Sequence, residues 1–100
     1  MDDHAAEPLV PRTFLVERYW PDVDEPTARA AVTSLERVAA AMTAEGTPVE
    51  HVVSILMPGD QVVFSLIRAA DETVARQVNE RAGIPLDRVA AAVALGRHDR

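Results

Sequence analysis

Residues 49–69, VEHVVSILMPGDQVVFSLIRA, decide the fold. Two apolar, β-branched runs, Val49 to Met57 and Gln61 to Ala69, flank Pro58-Gly59-Asp60, a short turn in which glycine supplies the unusual dihedral. The stretch therefore predicts an antiparallel hairpin. Upstream, Ala28, Ala31, Val32, Leu35, Val38, Ala39 and Met42 repeat with the helical period, in a helix that starts at Pro26 and ends at Gly46 in a left-handed position. Downstream, Asp71 caps a second helix whose inner face is Val74, Ala75, Val78 and Ala82, with Gly83 and Pro85 behind it. Farther out, Arg12 to Trp20 alternates as a strand stopped by Pro21. Arg88 to Leu95 reads as a last strand, because Val89, Val93 and Leu95 alternate and a sheet edge would otherwise stay open. Strand, helix, strand, strand, helix, strand is the split βαβ arrangement. The expected fold class is α+β, ferredoxin-like βαββαβ, with a four-stranded antiparallel sheet and two helices on one face.

Composition bounds what such a domain can do. One hundred residues make one domain, read as an arm over 1–11, the folded unit over 12–95 and a tail over 96–100. The 48% apolar content supports a core, yet so small a domain buries only about 60–65% of its unfolded surface and invites dimerisation. Cysteine is absent, which excludes disulfides, thiolate catalysis and cysteine-based zinc or iron–sulfur sites. A net charge of −6 repels nucleic acid and anionic membrane surfaces. The opening residues carry acids, His4 and two prolines but no apolar signal region, so the expected setting is cytoplasmic. Phosphate loops, nucleophile elbows and closed metal motifs are absent from the sequence.

The hairpin also sorts side chains by face. With equal register across the turn, Val53, Ile55, Met57, Val62, Phe64 and Leu66 form an almost dry face, with His51 and Arg68 at its far end, and are expected against the helices. The other face carries Glu50, Val52, Ser54, Leu56, Val63, Ser65 and Ile67. Placing Phe14 and Val16 toward the helices adds Leu15, Glu17 and Tyr19 to this second face. A half-apolar uncovered face needs a partner, and two such faces stacked would give a symmetric homodimer with a cavity lined by Glu17, Tyr19, Ser54 and Ser65.

The segments Phe14-Leu15-Val16-Glu17-Arg18-Tyr19-Trp20-Pro21, Ser54 through the hairpin, and Val78-Asn79-Glu80-Arg81-Ala82-Gly83-Ile84-Pro85 resemble a small bacterial family of ferredoxin-like α+β-barrel proteins, one of which is described as nickel-binding. The resemblance runs from about the first strand to the last. It implies a dimeric α+β barrel and nickel as the cofactor to test. That family often has a cysteine in its third strand, where this chain has Ser65, which departs from soft-metal binding through a thiolate.

Three functions compete on these residues. The first is a small dimeric binding protein holding a divalent metal, nickel by the resemblance, or a small ligand between the sheets. Its metal donors would be Glu17, His51 and Glu50, with His4 and His98 in the tails as solvated spectators. The second is a cofactor-free oxygenase or isomerase with Glu17 as base and Tyr19 or Ser65 orienting the substrate, against which stands the lack of a cavity histidine. The third is a regulatory or assembly module. Asn79 reads as a tie between the second helix and its loop, and Glu72, Arg76 and Glu80 as a solvated ladder.

Overall fold

The computed structural model describes residues 11–96; His4, His98 and most of the expected arm and tail lie outside the described residues. The elements follow in the expected order: β1 (Arg12–Tyr19), α1 (Glu25–Ala44), β2 (Val49–Met57), β3 (Val62–Ala69), α2 (Glu72–Arg81) and β4 (Arg88–Ala92). All strand pairs are antiparallel and the sheet order is β2-β3-β1-β4, which is the ferredoxin-like arrangement. The last strand ends at Ala92, leaving Val93 and Leu95 79% and 87% exposed beyond the ladder.

Each helix is set by its caps. Asp24 accepts from Thr27 N and Asp71 from Val74 N, so both helices start on a carboxylate that satisfies an orphan amide. Beyond α1, Gly46 takes φ 101° while Thr47 N donates back to Met42 O, the reversal that only glycine adopts without strain. In the hairpin the left-handed residue is Gln61, at φ 55°, rather than Gly59. Gln61 is anchored there by tertiary contacts: its carbonyl accepts from Trp20 N and its side-chain oxygen from Asp22 N.

The core lies between both helices and one sheet face. Phe14 and Val16 of β1, Ile67 and Ala69 of β3, Leu35, Ala39 and Met42 of α1, and Ala75 and Val78 of α2 are buried together. β1 thus faces as expected, but the hairpin is turned over. Val63, Ser65, Ile67 and Ala69 of β3 are the buried positions, whereas Val53, Ile55 and Met57 of β2 are 42%, 51% and 40% exposed on the open side. The six residues expected against the helices do share a face, and it is the uncovered one. The parity of β1 decides this, because Phe14 is level with Ile67 and Val16 with Ser65.

A bulge in β2 completes the correction. His51 pairs with Ile67 and Val53 with Leu66, so Val52 has no partner and the alternation slips by one residue. Before the bulge His51 faces the helices; after it Ser54 and Leu56 do. His51 and Ser54, three apart in sequence, therefore share a face, while Arg68 lies opposite Glu50 on the other side.

Candidate functional site

The open face is built in rows across the strands. Ile55, Phe64, Glu17 and Arg88 form one row; Val53, Leu66, Leu15 and Ala90 form the next; Met57, Val62 and Tyr19 form a third. Within this apolar field Glu17 accepts from Arg88 Nη1 at 3.3 Å, both side chains remaining partly exposed. Tyr19 is 58% exposed at the rim.

The covered face carries a polar chain through the core. Arg18 is 2% exposed, and every group it touches is neutral: Nε donates to Pro85 O at 3.0 Å, Nη1 to Ser65 Oγ at 3.1 Å and Nη2 to Asn79 Oδ1 at 2.6 Å. Burial pushes its guanidinium down to about 10, offset in part by the charge of Asp87, so it is still a cation at neutral pH. Asn79, fully buried, is fixed in turn by donating to Ala75 O at 2.9 Å. Its backbone carbonyl receives Ile84 N, so the expected tie from helix to loop exists, and the side chain adds the hold on Arg18.

From Ser65 the chain continues outward. Ser65 and Ser54 hydroxyls are 2.6 Å apart, Ser54 Oγ lies 2.9 Å from His51 Nε2, and His51 Nδ1 lies 2.9 Å from Glu36 Oε2 on α1. A guanidinium can only donate and a carboxylate only accept. With His51 neutral, the pattern satisfying every member runs one way: Arg18 to Ser65, Ser65 to Ser54, Ser54 to His51 Nε2, and His51 Nδ1 to Glu36. The outer end lines a groove of about 660 Å³ between α1 and β2, whose walls include Ala28, Val32, Leu56 and Val63 beside His51 and Ser54. A second groove of about 500 Å³ near Glu50 and Arg68 is largely apolar.

The sheet thus divides the expected sites. Glu17 and Tyr19 are on the open face, Ser54 and Ser65 on the covered one, so the four do not line one cavity. Nor do Glu17, Glu50 and His51 suit a nickel ion. Glu17 and Glu50 stand two rows and two strands apart, roughly 15 Å by strand spacing, and His51 projects through the other face. No group of three or more histidine, aspartate or glutamate side chains with metal-binding spacing occurs among the described residues. Sequence reasoning missed Arg18 and Glu36. The signal for Arg18 was present, since it follows Phe14 and Val16 at the same parity; Glu36 became legible only once the bulge had turned His51 toward α1.

No family model and no curated protein matches the chain. Among solved structures, SCO4226 from Streptomyces coelicolor A3(2) superposes with a TM-score of 0.68, covering 84% of this chain and 99% of its own, at 15% sequence identity. That similarity supports the ferredoxin-like α+β fold. No helix among the described residues is long and apolar enough to cross a membrane.

Proposed function

We propose that the protein acts as a homodimeric binding protein, two copies meeting through their open sheet faces and enclosing a small, largely apolar ligand beside Glu17. The observation that carries this reading is the apolar field of Val53, Ile55 and Met57 with Leu15, Phe64 and Leu66, on a sheet whose other face is already covered. Contiguous apolar surface of this kind marks an association site. Covering it desolvates Glu17, whose carboxylate then needs a cationic partner, a place held by Arg88 and open to a donor group on a ligand.

Sedimentation equilibrium of the wild type and of Ile55→Asp tests the dimer. A wild-type dimer whose population rises with protein concentration and a folded Ile55→Asp monomer are expected; a monomeric wild type overturns the reading. Trp20, the only tryptophan, sits next to Tyr19 and reports ligand binding by fluorescence. The ligand site is read by titrating small hydrophobic amines into wild type and Glu17→Gln, with binding expected in the first and lost in the second. Calorimetric titration of untagged protein with nickel separates the metal alternative: stoichiometric uptake lost in Glu17→Gln would replace the organic ligand by the ion.

A further inference from the structure

The outer part of the polar chain has the order of a serine hydrolase: a hydroxyl on an imidazole, and that imidazole on a carboxylate. We infer that Ser54, His51 and Glu36 form an esterase site in the groove between α1 and β2, acting on small esters with an aliphatic acyl group. Three features of the structure support this. The distances, 2.9 Å from Ser54 Oγ to His51 Nε2 and 2.9 Å from His51 Nδ1 to Glu36 Oε2, are those of a nucleophile held on its base and a base held by its orienting acid. His51 is nearly inaccessible, with 4% of its side chain exposed, which fixes the ring, while Ser54 is partly open and both residues line the groove. The β2 bulge brings them together, since in an unbroken strand residues three apart lie on opposite faces.

The groove specifies the substrate class. Its volume of about 660 Å³ lies within the range of small-molecule sites, and Ala28, Val32, Leu56 and Val63 give the acyl chain an apolar wall. Behind the nucleophile, Ser65 Oγ lies 2.6 Å from Ser54 Oγ and receives Arg18; in the one-way pattern that satisfies every member Ser65 is the donor to Ser54, so the buried cation favours negative charge developing on the serine oxygen. In the acylation step Ser54 Oγ attacks the ester carbonyl carbon and its proton passes to His51 Nε2. The C–O bond to the alcohol then breaks, and that proton leaves with the alcohol. Water next attacks the acyl-serine, again losing a proton to His51, which returns it to Ser54 as the acid departs. The balance is ester plus water to acid plus alcohol. Glu36 and Ser65 are positioning residues, acting through His51 and Ser54.

The composition makes the test clean, because the chain has neither cysteine nor lysine to compete for an electrophile: all ten of its basic Lys or Arg residues are arginine. Wild-type protein is mixed with 4-nitrophenyl butyrate and, separately, with a fluorophosphonate, and the labelled peptide is located by mass spectrometry. A burst of 4-nitrophenol stoichiometric with protein, and a label on Ser54, are expected. Ser54→Ala should lose both, and His51→Gln should slow acylation about 10²–10⁴-fold. Glu36→Gln, a change at an exposed carboxylate that leaves the fold intact, should lower kcat at least about tenfold with KM unchanged. A wild type that shows no burst and takes no label, a label on His51 or another residue, or a Glu36→Gln protein with wild-type kcat each overturns the assignment.

Discussion

The two faces of the sheet invert the usual division of labour. The face under the helices carries Arg18, Ser65, Ser54 and His51 in one hydrogen-bonded line, while the open face displays Val53, Ile55, Met57 and Leu66. Apolar count is therefore a poor guide to which side of a sheet is inside. What determines the inside is where the helices can rest, and here that follows β1, whose Phe14 and Val16 have no other shelter. The polar groups are tolerated within because each is partnered, and unpartnered they would cost far more than the apolar residues outside.

The strongest way to break this contrast is to remove its buried charge. Arg18→Met strands Asn79 Oδ1 and Pro85 O, at about 1–3 kcal/mol for each buried acceptor left unsatisfied, and should destabilise the fold by about 2–5 kcal/mol in urea unfolding. The pH dependence has a definite sign. Burial lowers the folded value to about 10, well below the ordinary guanidinium value of the unfolded chain, so between the two the unfolded chain binds more protons, and the cost of burying the charge is complete below the folded value and relieved above it. The difference between Arg18→Met and wild type should accordingly stay flat from about pH 6 to 9.

A pair of truncations sharpens the comparison of faces. Ile67→Ala on the covered side should cost about 2–5 kcal/mol, and Ile55→Ala on the open side within about 0.5 kcal/mol for the monomer. If two copies meet there, the second loss grows with protein concentration, which unfolding at several concentrations reads directly.

The bulge can be excised. Deleting Val52 leaves His51 and Val53 opposite the adjacent pair Ile67 and Leu66, so the register closes and circular dichroism with thermal unfolding should show a loss under about 1 kcal/mol. Deleting Ile55 moves Leu56 and Met57 to the wrong faces and should cost several times more. Smallest of all, Arg76→Ala removes an exposed pair with Glu72 and should change stability by about 0.3–0.5 kcal/mol.

Much of this molecule was legible beforehand, for reasons that also mark the limit. The elements were readable because caps and breakers are local: Asp71, Gly46 and Pro21 act on neighbours in sequence. The β1 faces were readable because that strand alternates without interruption. The hairpin faces were not, since alternation tells which residues share a side but not which side is sheltered. His51 was misplaced for a different reason, because one unpaired residue at Val52 shifts everything beyond it and carries no mark in composition. The cavity expected around Glu17, Tyr19, Ser54 and Ser65 failed for the first reason alone, since Ser54 pairs with Ser65 as expected and both lie on the sheltered side, away from Glu17 and Tyr19.

The irregularity at Val52 has a consequence at a larger scale. β2 and β4 are the two margins of the sheet, and each margin offers a row of backbone amides and carbonyls to any passing strand. β4 is only five residues long, and β2 is bent out of register partway along its length. Neither margin is a good template, so lateral growth into ribbons or fibres is discouraged at both ends. Attraction through the flat of the sheet stops at two copies, whereas attraction along its margins has no natural end. By spoiling the β2 margin, a single extra residue removes the longer of the two edges from which open-ended growth could start.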